Sequence, residues 1–108
     1  MSTIHGYHAH IYFDNNDADK AETLCKAAGE KFPLRVGRMH LQPVGPHPRG
    51  SCQLAFKSAL LGTVLPWLIE NRNGLTILLH TLTGDDYLDH TDNAFWLGKT
   101  EALNLKGL

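Results

Sequence analysis

The order of strand-like and helix-like segments most narrowly limits the folds open to this chain. Along residues 7–13, side chains of different polarity alternate and strand-forming residues are frequent, which is typical of a β-strand. Between residues 21 and 32, apolar side chains recur at the spacing of an α-helix. The segments that follow are strands at 34–42 and 51–56, a helix at 59–71 and a strand at 75–82. The order βαββαβ predicts an α+β, ferredoxin-like sandwich. In this fold, two helices cover one face of a four-stranded antiparallel sheet with strand order 4-1-3-2.

Two further segments refine this prediction. Pro66 lies within the second predicted helix, which therefore either begins near Thr63, so that the proline falls in its first turn, or carries a kink. Residues after Gly84 are polar and then predict a short helical segment over 91–97, a C-terminal extension of the fold. The length of 108 residues suits one domain, predicted to span residues 1–108, with a modest core.

Composition excludes several classes of function. The net charge is −1 and no basic stripe is present, so a nucleic-acid partner is not expected. No apolar run approaches the ~20 residues of a membrane span, and the N-terminus lacks the features of a signal peptide, so the protein is expected in the cytoplasm. Cys25 and Cys52 are too few for a disulfide scaffold and are expected to be buried thiols.

Seven histidines are the unusual feature of the composition, and strand geometry assigns several of them to a face. Successive strand side chains point to opposite faces. The apolar residues of the first strand belong under the helices, which leaves His8 and His10 on the open face. The same alternation puts His80 on the open face of the fourth strand. Because strands 1 and 4 are neighbours in the predicted order, His10 and His80 are expected to lie side by side.

A proline-rich loop before the third strand carries another imidazole to the rim of the sheet. Pro46 and Pro48 restrict the backbone of His47, so less entropy is lost in presenting its side chain. Imidazole is the commonest neutral metal ligand, and His10, His47 and His80 are therefore predicted to form a metal site. The alternative for the loop is a stiff turn without a ligand.

The other histidines have different expected roles. His8 shares the face of His10, but residues two apart on a strand are ~6.5 Å apart, so His8 is placed nearer the substrate than the metal. His40, on the second predicted strand, is a candidate outer acid or base. His5 lies in an N-terminal segment expected to fray and is expected to have no role.

These residues occur in an order that resembles the DOPA 4,5-dioxygenase family over nearly the whole chain. The motifs that carry the resemblance are His8-Ala9-His10-Ile11-Tyr12-Phe13-Asp14, Gly45-Pro46-His47-Pro48, Pro66-Trp67-Leu68, His80 with Thr83-Gly84-Asp85, Asp89-His90-Thr91, and Ala94-Phe95-Trp96-Leu97-Gly98. Each motif alone is weakly specific, whereas their order and spacing together are fairly specific.

The resemblance implies an extradiol dioxygenase that opens a catechol ring with molecular oxygen at a mononuclear non-haem Fe(II) site in a homodimer. By position, His10, His47 and His80 match the family's histidines and become the candidate iron ligands. His90 also matches and suits a proton-shuttling role, with His8 or His40 in reserve. The substrate implied is a generic, DOPA-like catechol, with a catecholic acid included in that class.

Several alternatives stay open at this point. The common ferrous site has two histidines and a carboxylate, so either three imidazoles suffice or Asp85, Asp86 or Asp89 completes the shell. Three histidines also suit zinc or another divalent metal, which would favour a zinc-dependent hydrolase or lyase on the same scaffold. A third possibility is a non-catalytic module that dimerises or binds a small ligand through its open face.

Overall fold

The computed structural model describes residues 3–108, which form one five-stranded antiparallel sheet with helices packed against it. The strands are β1 (Gly6–Phe13), β2 (Arg35–Val36), β3 (Gly50–Lys57), β4 (Thr76–Leu82) and β5 (Ala94–Leu97). The α-helices are α1 (Ala18–Lys31), α2 (Leu61–Asn71) and the single turn α3 (Asp86–Asp89). Short 3-10 turns at Asn15–Asp17, Ser58–Leu60 and Leu105–Gly107 complete the described elements.

The strand order across the sheet is β2-β3-β1-β4-β5. This order confirms the predicted 4-1-3-2 arrangement of the first four strands, and β5 extends the sheet beyond β4. All four pairings are antiparallel. The central position of β1, between β3 and β4, is what allows its outward side chains to meet residues from both neighbours.

The hydrophobic core lies between the sheet and the two long helices. On β1 the core side chains are Ala9, Ile11 and Phe13, each at most 1% exposed. The helices contribute Ala21, Leu24, Cys25, Ala28, Val64 and Leu68. The predicted alternation along β1 is thus confirmed, and Cys25 and Cys52 are buried free thiols as expected.

Two sequence-based predictions of secondary structure were wrong. The strand predicted over residues 34–42 is limited to Arg35–Val36 and an isolated bridge between His40 and Ser51. The helix predicted over 91–97 is instead a turn followed by β5, which pairs with the exposed edge of β4. A short segment rich in aromatic residues is stabilised more by pairing with the edge of a sheet than by forming an isolated helical turn.

The second long helix begins at Leu61, after a 3-10 turn that starts at Ser58, and Pro66 lies inside it. This start is earlier than the one that would have put the proline in the first turn. Over residues 3–108, no helix combines the length and the apolar character needed to cross a membrane.

Candidate metal centre

The face of the sheet opposite the helices carries a cluster of imidazoles. The register of β1 and β4 sets His8 directly opposite His80, with His10 two positions further along β1. The Nε2 atoms of His10 and His80 are 3.0 Å apart, and the ring of His8 lies 5.2 Å from that of His80 between centroids. The predicted juxtaposition of His10 and His80 is therefore present, and His8 joins them.

His8, His10 and His80 form the one group of candidate metal ligands found in the described part of the chain. One ligand atom from each lies within 4.8 Å of the others. Two nitrogens bound to one ion at ~2.1 Å would be about 3.0 Å apart at a right angle and about 3.4 Å apart at a tetrahedral angle. In the metal-free protein the two Nε2 atoms are at hydrogen-bond distance, 3.0 Å, with His10 donating to His80. The same separation fits two right-angled ligands of one ion once the His10 hydrogen has left Nε2, so the residues present suit a metal.

Burial keeps these imidazoles in the neutral form that binds metals. Desolvation lowers the pKa of His80 to about 4 and holds the pKa of His10 well below its ordinary value of 6.5, with neighbouring histidines adding to the effect. The pKa of His8 is lowered in the same way. Nδ1 of His80 donates a hydrogen bond to the Thr81 carbonyl at 2.8 Å, which leaves the Nε2 lone pair directed toward His10.

His47 lies beside this group and is held by a buried tyrosine. Its ring centroid is 4.1 Å from that of His10, and the Tyr12 hydroxyl lies 2.7 Å from its Nδ1. Among residues 3–108 the Tyr12 hydroxyl has no other hydrogen-bond partner. The hydroxyl therefore donates its hydrogen to Nδ1 of His47. Burial raises the pKa of Tyr12, which keeps that proton in place. The neutral His47 ring therefore carries its own hydrogen on Nε2.

The C-terminal segment holds the loop that presents His47. Arg49 donates two hydrogen bonds to the Glu101 carboxylate, at 2.7 and 3.2 Å, and a third at 3.1 Å to Asp14. The Asn104 amide donates to the Pro46 carbonyl at 2.9 Å. The stiff turn predicted from the prolines is thus also tied to a distant part of the chain.

His90 and the acidic residues before it lie on the other side of the cluster. The His90 ring is 4.1 Å from that of His80, and its Nδ1 donates to the Asp86 carbonyl at 2.7 Å. That bond leaves the Nε2 lone pair of His90 free to accept a proton. His90 thus stands beside the candidate ligands.

The carboxylates near His90 have structural partners. Asp89 is 2% exposed and accepts hydrogen bonds from Thr81 and from the Thr83 hydroxyl and amide, at 2.7 to 3.0 Å. Burial opposes its charge, but these hydrogen bonds outweigh burial and lower its pKa. Asp85 caps α3 by accepting from the Leu88 amide. The candidate ligand group contains no carboxylate within the described residues.

A pocket of about 250 Å³ adjoins the cluster on the side of β2 and β3. His10 and His47 form one wall, and His40 and Arg38 come from the segment that follows β2. His40, predicted as an outer acid or base, therefore faces the pocket rather than the group that suits a metal. His5 is exposed, but its amide donates to the Leu82 carbonyl, so the segment expected to fray is held at this point.

Sequence reasoning placed His8 outside the metal group because of the distance between alternate residues. In the structure, one ring nitrogen from each of His8, His10 and His80 lies within 4.8 Å of the others, although alternate residues along a strand start ~6.5 Å apart. The spacing His-x-His on a strand was the available signal. The sequence did not predict the hydrogen bond between Tyr12 and His47 or the burial of Asp89 against Thr81.

Comparisons with known proteins identify the family and the fold of the chain. The model of the Dopa 4,5-dioxygenase family matches residues 7–107. A DOPA 4,5-dioxygenase of Amanita muscaria is 33% identical over 99% of this chain, and an uncharacterized 21.2 kDa protein of Botryotinia fuckeliana is 34% identical over 92%. The chain spans only 51% and 61% of these two relatives.

A solved structure from Nostoc punctiforme, described as a proposed dioxygenase, superimposes on the chain with a TM-score of 0.94. The two proteins are 43% identical, and the match covers 97% of this chain and 91% of the other. The fold that carries the histidine cluster is therefore shared with a protein of nearly the same length.

Proposed function

The chain belongs to the Dopa 4,5-dioxygenase family, and we propose that it is an extradiol dioxygenase that uses molecular oxygen to cleave a catechol at a mononuclear non-haem Fe(II) site held by histidines. The observation that carries the proposal is the group of His8, His10 and His80, of which His10 and His80 are buried, beside a pocket of about 250 Å³. When bound, ferrous iron would supply open coordination positions for both reactants. The activity named for the longer fungal relative is thereby proposed for this chain.

His10 and His80 are proposed as two of the ligands because their Nε2 atoms face each other at 3.0 Å. His8 is proposed as the third, since its ring nitrogen completes the group and, within residues 3–108, no side-chain hydrogen bond holds it elsewhere. His47, predicted from the sequence as the third ligand, is the alternative. Its use as a ligand through Nε2 would require the hydrogen on that atom to move and Tyr12 to become the acceptor.

His90 is proposed to accept a catechol proton and later return it to the product. Its free Nε2 and its position against His80 support this role. His47 is proposed to bind and orient the substrate from the wall of the pocket, with its Nε2–H as a donor. His40 is the reserve acid or base, because it lines the pocket rather than the metal group.

Anaerobic loading with Fe(II), followed by oxygen uptake on addition of a catechol, tests the proposal. We expect uptake with a yellow ring-opened product, retained in His5→Ala and lost in His10→Ala and His80→Ala. Slower uptake in His90→Gln, with iron still bound, would support its proton role. Tight iron binding without uptake across a panel of catechols would refute dioxygenase activity.

A zinc-dependent hydrolase or lyase is the second candidate, because three imidazoles without a carboxylate are also a zinc site. Metal analysis of protein purified without added metal, combined with the oxygen measurement, separates the two candidates. Homodimerisation stays a prediction, based on the small core and on the sheet face that the helices leave uncovered. Sedimentation at micromolar concentration tests it, and a monomer would contradict it.

A further inference from the structure

Arg38 lies at the edge of the pocket, where it faces the same space as His10 and His47. We infer that the substrate carries a carboxylate and that Arg38 is the specificity-determining residue that binds it. The inference rests on the proposed function for the catechol part of the ligand, and it adds the charge of the substrate and the residue that recognises that charge.

The backbone on both sides of Arg38 is fixed to β3. The Gly37 amide donates to the Gln53 carbonyl at 2.7 Å. His40 and Ser51 exchange two backbone hydrogen bonds of 2.9 Å each. Arg38 therefore projects from a short bulge anchored at both ends, although this segment interrupts the regular strand. Such anchoring reduces the entropy lost when a side chain at this position binds a ligand.

Among residues 3–108 the guanidinium of Arg38 is unpaired, in contrast to those of Arg49 and Arg72. Arg35, which is also unpaired within this range, lines a different surface depression. Arg49 is paired with Asp14 and Glu101, and Arg72 donates to the Leu75 carbonyl. In the described part of the chain, Arg38 makes no hydrogen bond or ion pair, and no carboxylate lines its pocket. An unpaired guanidinium beside the pocket is suited to bind a carboxylate, because its N–H groups can donate two parallel hydrogen bonds to the two carboxylate oxygens.

The pocket has room for one ring with a short side chain. Its volume of about 250 Å³ is below the ~300–1,000 Å³ typical of sites for drug-sized ligands. Because His10 and Arg38 line the same pocket, a catechol with its hydroxyls toward His10 is inferred to extend its side chain toward Arg38. The ligand class is therefore a monocyclic catechol whose side chain ends in a carboxylate.

Binding of two catechols of similar size tests the inference without turnover. The ferrous protein is titrated calorimetrically in the absence of oxygen with 3,4-dihydroxyphenylacetate and with the uncharged 4-ethylcatechol. We expect the wild-type protein to bind the acid about tenfold more tightly or better, as for a hydrogen-bonded charge pair. Arg38→Gln should lose this preference while its affinity for 4-ethylcatechol stays within about twofold, and Arg38→Lys should retain part of it.

Arg35→Gln is the matched control, because Arg35 is an exposed arginine on β2 that lines a different surface depression. It should keep the full preference for the acid. Equal affinities in the wild-type protein, or an undiminished preference in Arg38→Gln, would overturn the role of Arg38 while leaving catechol binding intact. A preference that depends on Arg38, without oxygen uptake when oxygen is admitted, would refute the dioxygenase and leave the Arg38 site standing. Binding of neither catechol would refute both.

Discussion

Acidification will destabilise the metal-free protein well before its carboxylates titrate, because the histidine cluster is buried in the neutral form. His47 and His80 have pKa values of about 4 in the folded chain, against ~6.5 for a histidine in the unfolded chain. Between these two values the unfolded chain binds more protons than the folded one. The free energy of unfolding therefore falls as the pH drops from about 6.5 toward 4, and it is insensitive to these groups above about pH 7.5.

The size of this loss of unfolding free energy follows from the difference between the folded and unfolded pKa values of each histidine. At about pH 5.5, one unit below the unfolded pKa, His47 and His80 each lower the free energy of unfolding by about 1.4 kcal/mol. The pair costs about 3 kcal/mol, and His10, whose pKa is also held well below its ordinary value, adds to this sum. Both His47 and His80 are under 9% exposed, so solvent screening reduces the effect little. A loss of this size is a large part of the ~5–15 kcal/mol that stabilises a typical domain.

Urea denaturation with a chelator present, followed by tryptophan fluorescence at about pH 7.5 and about pH 5.5, measures this loss. His47→Gln should reduce the difference between the two pH values by about 1.4 kcal/mol, since one titrating imidazole is removed. His5→Gln, at an exposed position outside the cluster, should leave the difference unchanged. A change of less than about 0.5 kcal/mol in the wild-type protein would refute the reasoning, because it would mean that the cluster is hydrated or already protonated.

Three further substitutions test the supports of the site. Tyr12→Phe leaves Nδ1 of His47 without its partner, and we expect a loss of about 1–3 kcal/mol in urea denaturation of the metal-free protein; an unchanged midpoint would contradict the hydrogen bond. Asp89→Asn weakens the acceptor of three hydrogen bonds from Thr81 and Thr83, so a comparable loss of about 1–3 kcal/mol is expected in the same assay. Glu101→Gln removes the charge that holds Arg49, and since this pair is partly exposed we expect less than about 1 kcal/mol of lost stability. Faster hydrogen exchange at the amide of His47 should nevertheless follow, and unchanged exchange would show that the loop does not depend on the C-terminal segment.

The face that carries the histidines was predictable because side chains along a strand alternate with a period of two. His10 and His80 followed from this alternation and from the strand order of the βαββαβ pattern, which the structure confirms. The exact register was not predictable, because β1 and β4 are far apart in the sequence and no turn between them fixes which residues pair. The direct opposition of His8 and His80 depends on that register.

The missed features depend on contacts between distant parts of the chain. β5 forms because β4 offers an unpaired edge, and the local sequence of residues 91–97 does not contain that information. Likewise, the burial of Asp89 comes from two threonines at the end of β4 rather than from any pattern in the four-residue α3. The restriction of β2 to two residues reflects the bulge at Gly37–Met39, which turns the chain away from regular pairing and positions Arg38.

Anaerobic titration of the metal-free protein with Fe(II), with the ligand shell measured by X-ray absorption, tests whether the histidine cluster binds iron. We expect one ion per chain, bound to nitrogen ligands from three imidazoles, with binding abolished in His10→Ala and His80→Ala. His8→Ala should remove one nitrogen from the shell, whereas His47→Ala should leave the shell complete. Failure to bind iron, or binding that survives loss of both His10 and His80, would show that these histidines do not form a metal site.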